Sequence, residues 1–215
     1  MAILSDHVQS YLAGLRPERS QLVREMEELA NAEGIPIVEW ETARFLATLT
    51  RALQPARVLE VGTAIGYSTL HIAEQLPPGG KVVTLERDER RIGQARDFLG
   101  RGGVLDRVEI VEGDALETLP PLEGPFDMLF LDATKGEYRS YLEIAEEKAT
   151  ERAVLLVDNL LMGGNAALPP GQASGWGPES LAAARELNAQ LVSSDRWLGS
   201  VLPIGDGVGF ATRIA

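Results

Sequence analysis

The stretch Val58-Leu59-Glu60-Val61-Gly62-Thr63-Ala64-Ile65-Gly66-Tyr67-Ser68 constrains the fold more than any other part of the chain. An apolar run, two glycines and a helix-compatible segment read as buried strand, tight turn and helix. That is how an open parallel sheet presents a nucleotide-like ligand at the carboxyl end of a strand. Glycine lets the backbone approach such a ligand closely, and the first turn of the next helix offers free N–H donors. The same turn also occurs as plain α/β architecture, so the ligand must be read from its details. The glycines are spaced G-x-x-x-G, with Glu60 just before them. A pyrophosphate calls for a third close-approach glycine and no carboxylate beside it. S-adenosylmethionine has no phosphate but carries a sulfonium and an ammonium, both favoured near an acid. The turn therefore points to S-adenosylmethionine rather than a dinucleotide.

The segments downstream keep that register. A second strand, Lys81–Leu85, ends in Glu86, twenty residues past Gly66, where a carboxylate at a strand tip can hold both hydroxyls of a ribose. A third, Val108–Val111, runs into Glu112-Gly113-Asp114-Ala115, a polar turn suited to an adenine edge. Strands at Val58–Val61, Phe126–Leu131 and Ala153–Val157 alternate with helices at Tyr67–Gln75, Asp88–Leu99 and Glu137–Ala149. Such alternation implies a parallel sheet with helices on both faces. Before it lie three amphipathic helices, Asp6–Leu15, Glu18–Ala32 and Glu39–Leu53. After it come a Gly- and Pro-rich segment, Leu160–Pro178, with the single aromatic Trp176, then a helix, Glu179–Leu191. Two last strands, Trp197–Leu202 and Val208–Ile214, are joined by Pro203-Ile204-Gly205-Asp206-Gly207 as a hairpin. The 215 residues, 45% hydrophobic, suit one domain. Residues 1–55 form its N-terminal helical part and 56–215 its Rossmann-like core.

Strand ends also gather hard ligands. Asp132 closes the fourth strand, and Asp158 and Asn159 close the fifth. Parallel neighbours lie about 4.8 Å apart, so the three side chains can converge on one ion. An all-oxygen set selects a hard divalent cation, Mg²⁺ or Mn²⁺. Strand-end Asp and Asn also cap turns, which is the plainer reading. Lys135 follows Asp132 by three residues, and the only other lysines are Lys81 and Lys148. A lysine at a helix start is poorly placed against the helix dipole. Beside a divalent cation its ammonium is destabilised, which suits it to take a proton from a hydroxyl.

Composition narrows the chemistry. Zero cysteines remove disulfides, thiolate metal sites and cysteine nucleophiles. Two histidines, His7 and His71, leave little room for a zinc site or a serine triad. No apolar run is long enough to span a bilayer, and no signal-peptide pattern opens the chain, so a cytoplasmic, membrane-free protein is expected. A net charge of −12 disfavours broad nucleic-acid binding.

Taken together, these residues resemble the cation-dependent class I S-adenosylmethionine O-methyltransferases of the catechol and caffeoyl-CoA type, in their small bacterial form. The likeness runs from Gly34-Ile35-Pro36-Ile37-Val38 through the glycine turn, Glu86 and Gly113-Asp114-Ala115. It continues through Asp132-x-x-Lys135-x-x-Tyr138 and Asp158-Asn159 to Pro203-Ile204-Gly205-Asp206-Gly207. The resemblance implies a doubly wound, seven-stranded sheet whose last strand is antiparallel. It places Val38, Glu60, Gly62, Thr63, Ser68, Glu86, Ala115 and Asp132 at S-adenosylmethionine. It gives Asp132, Asp158 and Asn159 to the metal, makes Lys135 the catalytic base, and implies a homodimer. Members acting on plant phenolics often carry a tryptophan shortly after the Asp-Asn pair, where this chain has Leu160-Leu161-Met162. The expected acceptor is a small vicinal diol of catechol type. The alternative is 5-hydroxyuridine in tRNA, for which Arg16, Arg19 and Arg24 could supply a local basic patch.

Overall fold

The computed structural model describes residues 4–169, 171–172 and 175–214. Pro170, Ala173 and Ser174, within the expected loop, lie outside the described residues. Three helices open the fold: α1 (Asp6–Gly14), α2 (Gln21–Glu33) and α3 (Trp40–Leu53). Ser20 starts α2 by accepting the Val23 N–H at 3.2 Å, so the helix begins later than Glu18. Gly34 ends it in the left-handed region, at φ 63°. α1 buries none of its residues, and Val8, Tyr11 and Leu15 are exposed.

The core alternates as the apolar runs require. It comprises β1 (Arg57–Val61), α4 (Tyr67–Ala73), β2 (Lys81–Glu86), α5 (Glu89–Arg101), β3 (Val108–Glu112), α6 (Ala115–Thr118) and β4 (Phe126–Leu131). α7 (Tyr138–Glu147), β5 (Ala149–Val157), α8 (Pro178–Ser193), β6 (Trp197–Leu202) and β7 (Val208–Arg213) complete it. Seven strands form one sheet in the order β3-β2-β1-β4-β5-β7-β6. β1 through β5 pair in parallel, whereas β7 runs antiparallel to both β5 and β6. The reversal of direction at β1, with β2 on one side and β4 on the other, opens a crevice at the strands' carboxyl ends.

Side chains alternate across the sheet into two apolar layers. Val58, Val82, Met128, Phe130 and Leu156 pack beneath α2–α5, where Met26, Leu46, Leu70 and Leu99 are buried. Leu59, Leu85, Leu129, Leu131 and Leu155 face α7 and α8, through Tyr141, Leu142, Leu187 and Leu191. Burying both faces is what near-continuous apolar strands are suited to.

Two local expectations change. β5 starts at Ala149 rather than Ala153, because Ala149 already pairs with Phe126, and exposed Glu151 and Arg152 lie in the irregular stretch before Val154 pairs with Met128. The turn at Asp114-Ala115 continues into the short α6, capped by Asp114 Oδ1, which accepts the Leu116 N–H at 2.9 Å. Among the described residues no helix is long and apolar enough to cross a membrane.

Candidate active site

The crevice is a cavity of about 520 Å³ at the carboxyl edge of the sheet. Val38, Gly62, Thr63, Ser68, Glu86, Ala115, Asp132, Lys135, Asp158 and Asn159 all line it. A larger cavity, about 800 Å³, lies between α1, α3 and the β6–β7 hairpin and contains none of the expected site residues. Asp206, at the hairpin tip, borders both.

Gly62 shows why the turn after β1 needs glycine. Its φ is 104°, and a Cβ there would sit 2.0 Å from the Asp132 carbonyl oxygen. Asp132 N–H in turn donates to the Val61 carbonyl at 2.9 Å, so the ends of β1 and β4 are drawn together at this point. Gly66, at φ 82°, then opens α4.

Glu86 ends β2 almost wholly buried. One carboxylate oxygen accepts the Ala64 N–H at 2.8 Å, and the other accepts those of Arg87 and Asp88, both at 3.0 Å. The carboxylate therefore ties the glycine turn to β2 while lining the cavity, and the oxygen that accepts only the Ala64 N–H keeps a lone pair for a ligand hydroxyl. Glu86→Ala is expected to weaken S-adenosylmethionine binding by about 1–3 kcal/mol, the scale of hydrogen bonds to charged groups. Calorimetry showing unchanged affinity would remove Glu86 from the site, and Glu86→Gln, which keeps the side chain's shape, separates ribose contact from turn disruption.

Glu60 is placed differently from expectation. Strand alternation turns it onto the α3–α5 face, fully buried beneath the cavity rather than lining it. Its carboxylate accepts the Ser68 hydroxyl at 2.6 Å and the Thr69 hydroxyl. Burial pushes its carboxyl up to about 7, with the Ser68, Thr69 and Thr84 hydroxyls opposing. Glu60 thus anchors the first turn of α4, which itself carries cavity-lining Ser68. Between about pH 4.5 and 7 the folded chain keeps a proton at Glu60 that the unfolded chain has lost. Stability from this group therefore falls as pH rises across that window. Glu60→Gln should flatten the fall, by up to about 3 kcal/mol at pH 8. Urea unfolding at pH 5 and pH 8 checks this, and an identical pH dependence in the variant would contradict it.

Asp132, Asp158 and Asn159 meet as parallel pairing requires, with Leu131 opposite Val157. Asp158 is buried, and among the described residues its Oδ1 has no hydrogen-bond partner. Burial first, then the charge of Asp132, holds its carboxyl well above the usual range, with Lys135 opposing. Asn159 adopts a left-handed backbone, φ 62°, and its amide nitrogen donates to Asp206 Oδ2 at 3.3 Å. That leaves the amide oxygen free as an acceptor. Lys135 Nζ lies 3.1 Å from Asp132 Oδ1 and 5.4 Å from the Tyr138 ring centroid. Lys135 does not open α7 directly. It starts a 3-10 turn, Lys135–Glu137, and sits at the cavity wall with only 20% of its side chain exposed.

An acidic corner with an unpartnered buried carboxylate oxygen, and a lysine ammonium already drawn to it, fits a cation. Among the described residues no group of three or more His, Cys, Asp and Glu side chains could hold a metal ion. The set here is two carboxylates and one amide oxygen, a donor set suited to a hard ion that keeps several waters.

Sequence reasoning gave no site role to Tyr141 from α7, Trp176 from the long loop or Asp206 from the hairpin, all of which line the cavity. Only Asp206 carried a local signal, standing between Gly205 and Gly207, both at positive φ.

A family model described as O-methyltransferase matches residues 14–214. The chain is 46% identical over 128 residues to a catechol O-methyltransferase of Mycobacterium tuberculosis, a match spanning 59% of this chain and 58% of that one. Against a catechol O-methyltransferase of Niastella koreensis it is 34% identical over 165 residues, 74% of this chain and 73% of the other. The O-methyltransferase TomG of Streptomyces achromogenes, solved in complex with S-adenosylmethionine, superposes with a TM-score of 0.84 at 27% identity, covering 97% of this chain and 96% of that one. By sequence and by architecture, then, the chain belongs to the O-methyltransferase family and carries the fold of its S-adenosylmethionine-dependent members.

Proposed function

We propose that this protein moves a methyl group from S-adenosylmethionine to one hydroxyl of a small vicinal diol, a catechol-type phenol, with Mg²⁺ or Mn²⁺ as cofactor. The observation that carries the reading is the corner of Asp132, Asp158, Asn159 and Lys135 in the same cavity as the glycine turn and Glu86. The glycine turn, Glu86 and Ala115 would hold the nucleoside, with Val38 and Ser68 beside it. Asp132, Asp158 and Asn159 would hold the ion. A divalent cation bound there would supply Lewis acidity to a chelated diol. Lys135 takes the proton from the reacting hydroxyl, and the surrounding walls fix that oxygen in line with the methyl group.

The names of the two catechol O-methyltransferase relatives support this acceptor class. The arginines that could have formed an RNA patch are engaged elsewhere. Arg16 forks onto Glu41 at 2.7 and 2.9 Å, Arg19 pairs with Glu27, and Arg24 lies 3.9 Å from Glu18. Transfer of radiolabelled methyl to a panel of catechols, set against hypomodified tRNA, tests the reading; label on tRNA alone would overturn it.

The assembly is proposed to be a homodimer. Exposed Val8 and Tyr11 on α1, with Leu15 just past its end, support a second copy covering the face of a helix that buries none of its residues. Light scattering is expected to give twice the 23.2 kDa chain mass, and a monomer mass at working concentration would refute the dimer.

A further inference from the structure

The cavity has two ends set by strand order. Glu86 ends β2 and Asp158 follows β5, three strands away in the order β2-β1-β4-β5. At about 4.8 Å per strand, this separates the nucleoside end from the acidic corner by roughly 14 Å. Trp176 belongs to the acidic end. It packs on the small cluster of Met162, Leu181 and Ala184, and Met162 follows Asn159 by only three residues. The indole is half-buried and lines the cavity together with Lys135, Tyr141, Asp158 and Asn159.

Its position is braced from behind. Arg185 on α8 donates to the Ala166 carbonyl at 2.9 Å and to the Leu168 carbonyl at 2.5 Å. Asn188 donates to the Leu160 carbonyl at 2.8 Å. The loop that follows Asn159 is thereby fixed to the helix that carries Leu181 and Ala184. The corner's other walls are polar: carboxylates, an amide, a lysine, and Tyr141, whose hydroxyl donates to Glu137. Trp176 is the large apolar surface offered beside them.

We infer that Trp176 is a specificity-determining residue of the acceptor site, its indole forming the wall against which a flat aromatic ring lies while the ring's two vicinal oxygens face Lys135 and the acidic corner. The inference rests on the proposed function and adds to it a preference, among catechol-type diols, that rises with ring area. Offset stacking on an indole is favourable, and apolar burial scales with the area covered.

The test compares Trp176→Ala and Trp176→Phe with the unaltered protein, using catechol and the larger 2,3-dihydroxynaphthalene. Losing the wall is expected to raise KM for the naphthalene diol by about 10–100-fold, the scale of a lost apolar pocket contact. The rise for catechol should be smaller, and Phe should restore most of both. The rate at saturation should stay within about threefold, as when binding alone is removed. Calorimetry gives a readout free of turnover: diol affinity, measured with Mg²⁺ and S-adenosylhomocysteine present, should fall in parallel while S-adenosylhomocysteine affinity holds. Unchanged diol affinity in Trp176→Ala would overturn the inference and leave the proposed function standing. So would a fall in kcat with weakened S-adenosylhomocysteine binding, the signature of a mere loop brace. If the unaltered protein bound neither diol and methylated neither, the proposed function itself would fail.

Discussion

Replacing Asp158 with alanine is expected to abolish methyl transfer without unfolding the protein. In the ligand-free fold Asp158 is a liability: a buried carboxyl with one oxygen unpartnered, beside a second carboxylate. Removing such a group leaves no orphaned charge behind, so the variant should melt at or above the temperature of the parent. Activity should disappear all the same, because one of the three proposed ion ligands is gone, and S-adenosylmethionine affinity should be largely intact. Chelation with EDTA should reproduce the loss in the unaltered protein, and added Mg²⁺ or Mn²⁺ should reverse it. Full activity in excess chelator would sink the metal-dependent mechanism. A variant that melted well below its parent would show that Asp158 supports the fold instead.

Lys135→Met should lower the catalytic rate by roughly 10²–10⁴-fold, the span for a positioned general base. Lys135 also compensates charge at Asp132, so the two roles must be separated. Acceptor acidity does this. A nitrocatechol ionises readily without help, and the defect should shrink for it; an ordinary catechol needs the base, and the defect should be full. Wild-type rates on the ordinary acceptor would return Lys135 to the part of a counter-ion. An equal loss on every acceptor would show that it positions substrate and moves no proton.

What was legible in the sequence follows from how local each determinant is. The glycine turn, the acid closing β2, and the Asp and Asn closing β4 and β5 are each written within a few adjacent residues. Parallel topology then brings them to one edge. Ten of the eleven expected site residues accordingly line one cavity. Glu60 shows the limit. Its proximity to the glycines suggested a ligand, but side-chain alternation in β1 turns it beneath the cavity floor, where the Ser68 and Thr69 hydroxyls hold it. Trp176, and Asp206 despite its flanking glycines, were missed for another reason. Each arrives from a distant segment through packing on α8 or a turn in the hairpin, and nothing in their immediate neighbours states where those segments dock. The early start of β5 was obscured because Glu151 and Arg152 face solvent and interrupt the apolar run that marks the rest of the strand.

The antiparallel seat of β7 has a consequence for how the protein is made. β7 pairs Gly209–Thr212 with Val154–Val157, the stretch of β5 immediately before Asp158 and Asn159. It is also the last of the seven strands to leave the ribosome, more than forty residues after its partner on β5. Until then β5 presents an open edge, a known hazard for wrong pairing between nascent chains. The acidic corner therefore gains its rigid backing only once β7 has emerged and docked, well after β5 itself, and the corner cannot be completed piece by piece along the chain.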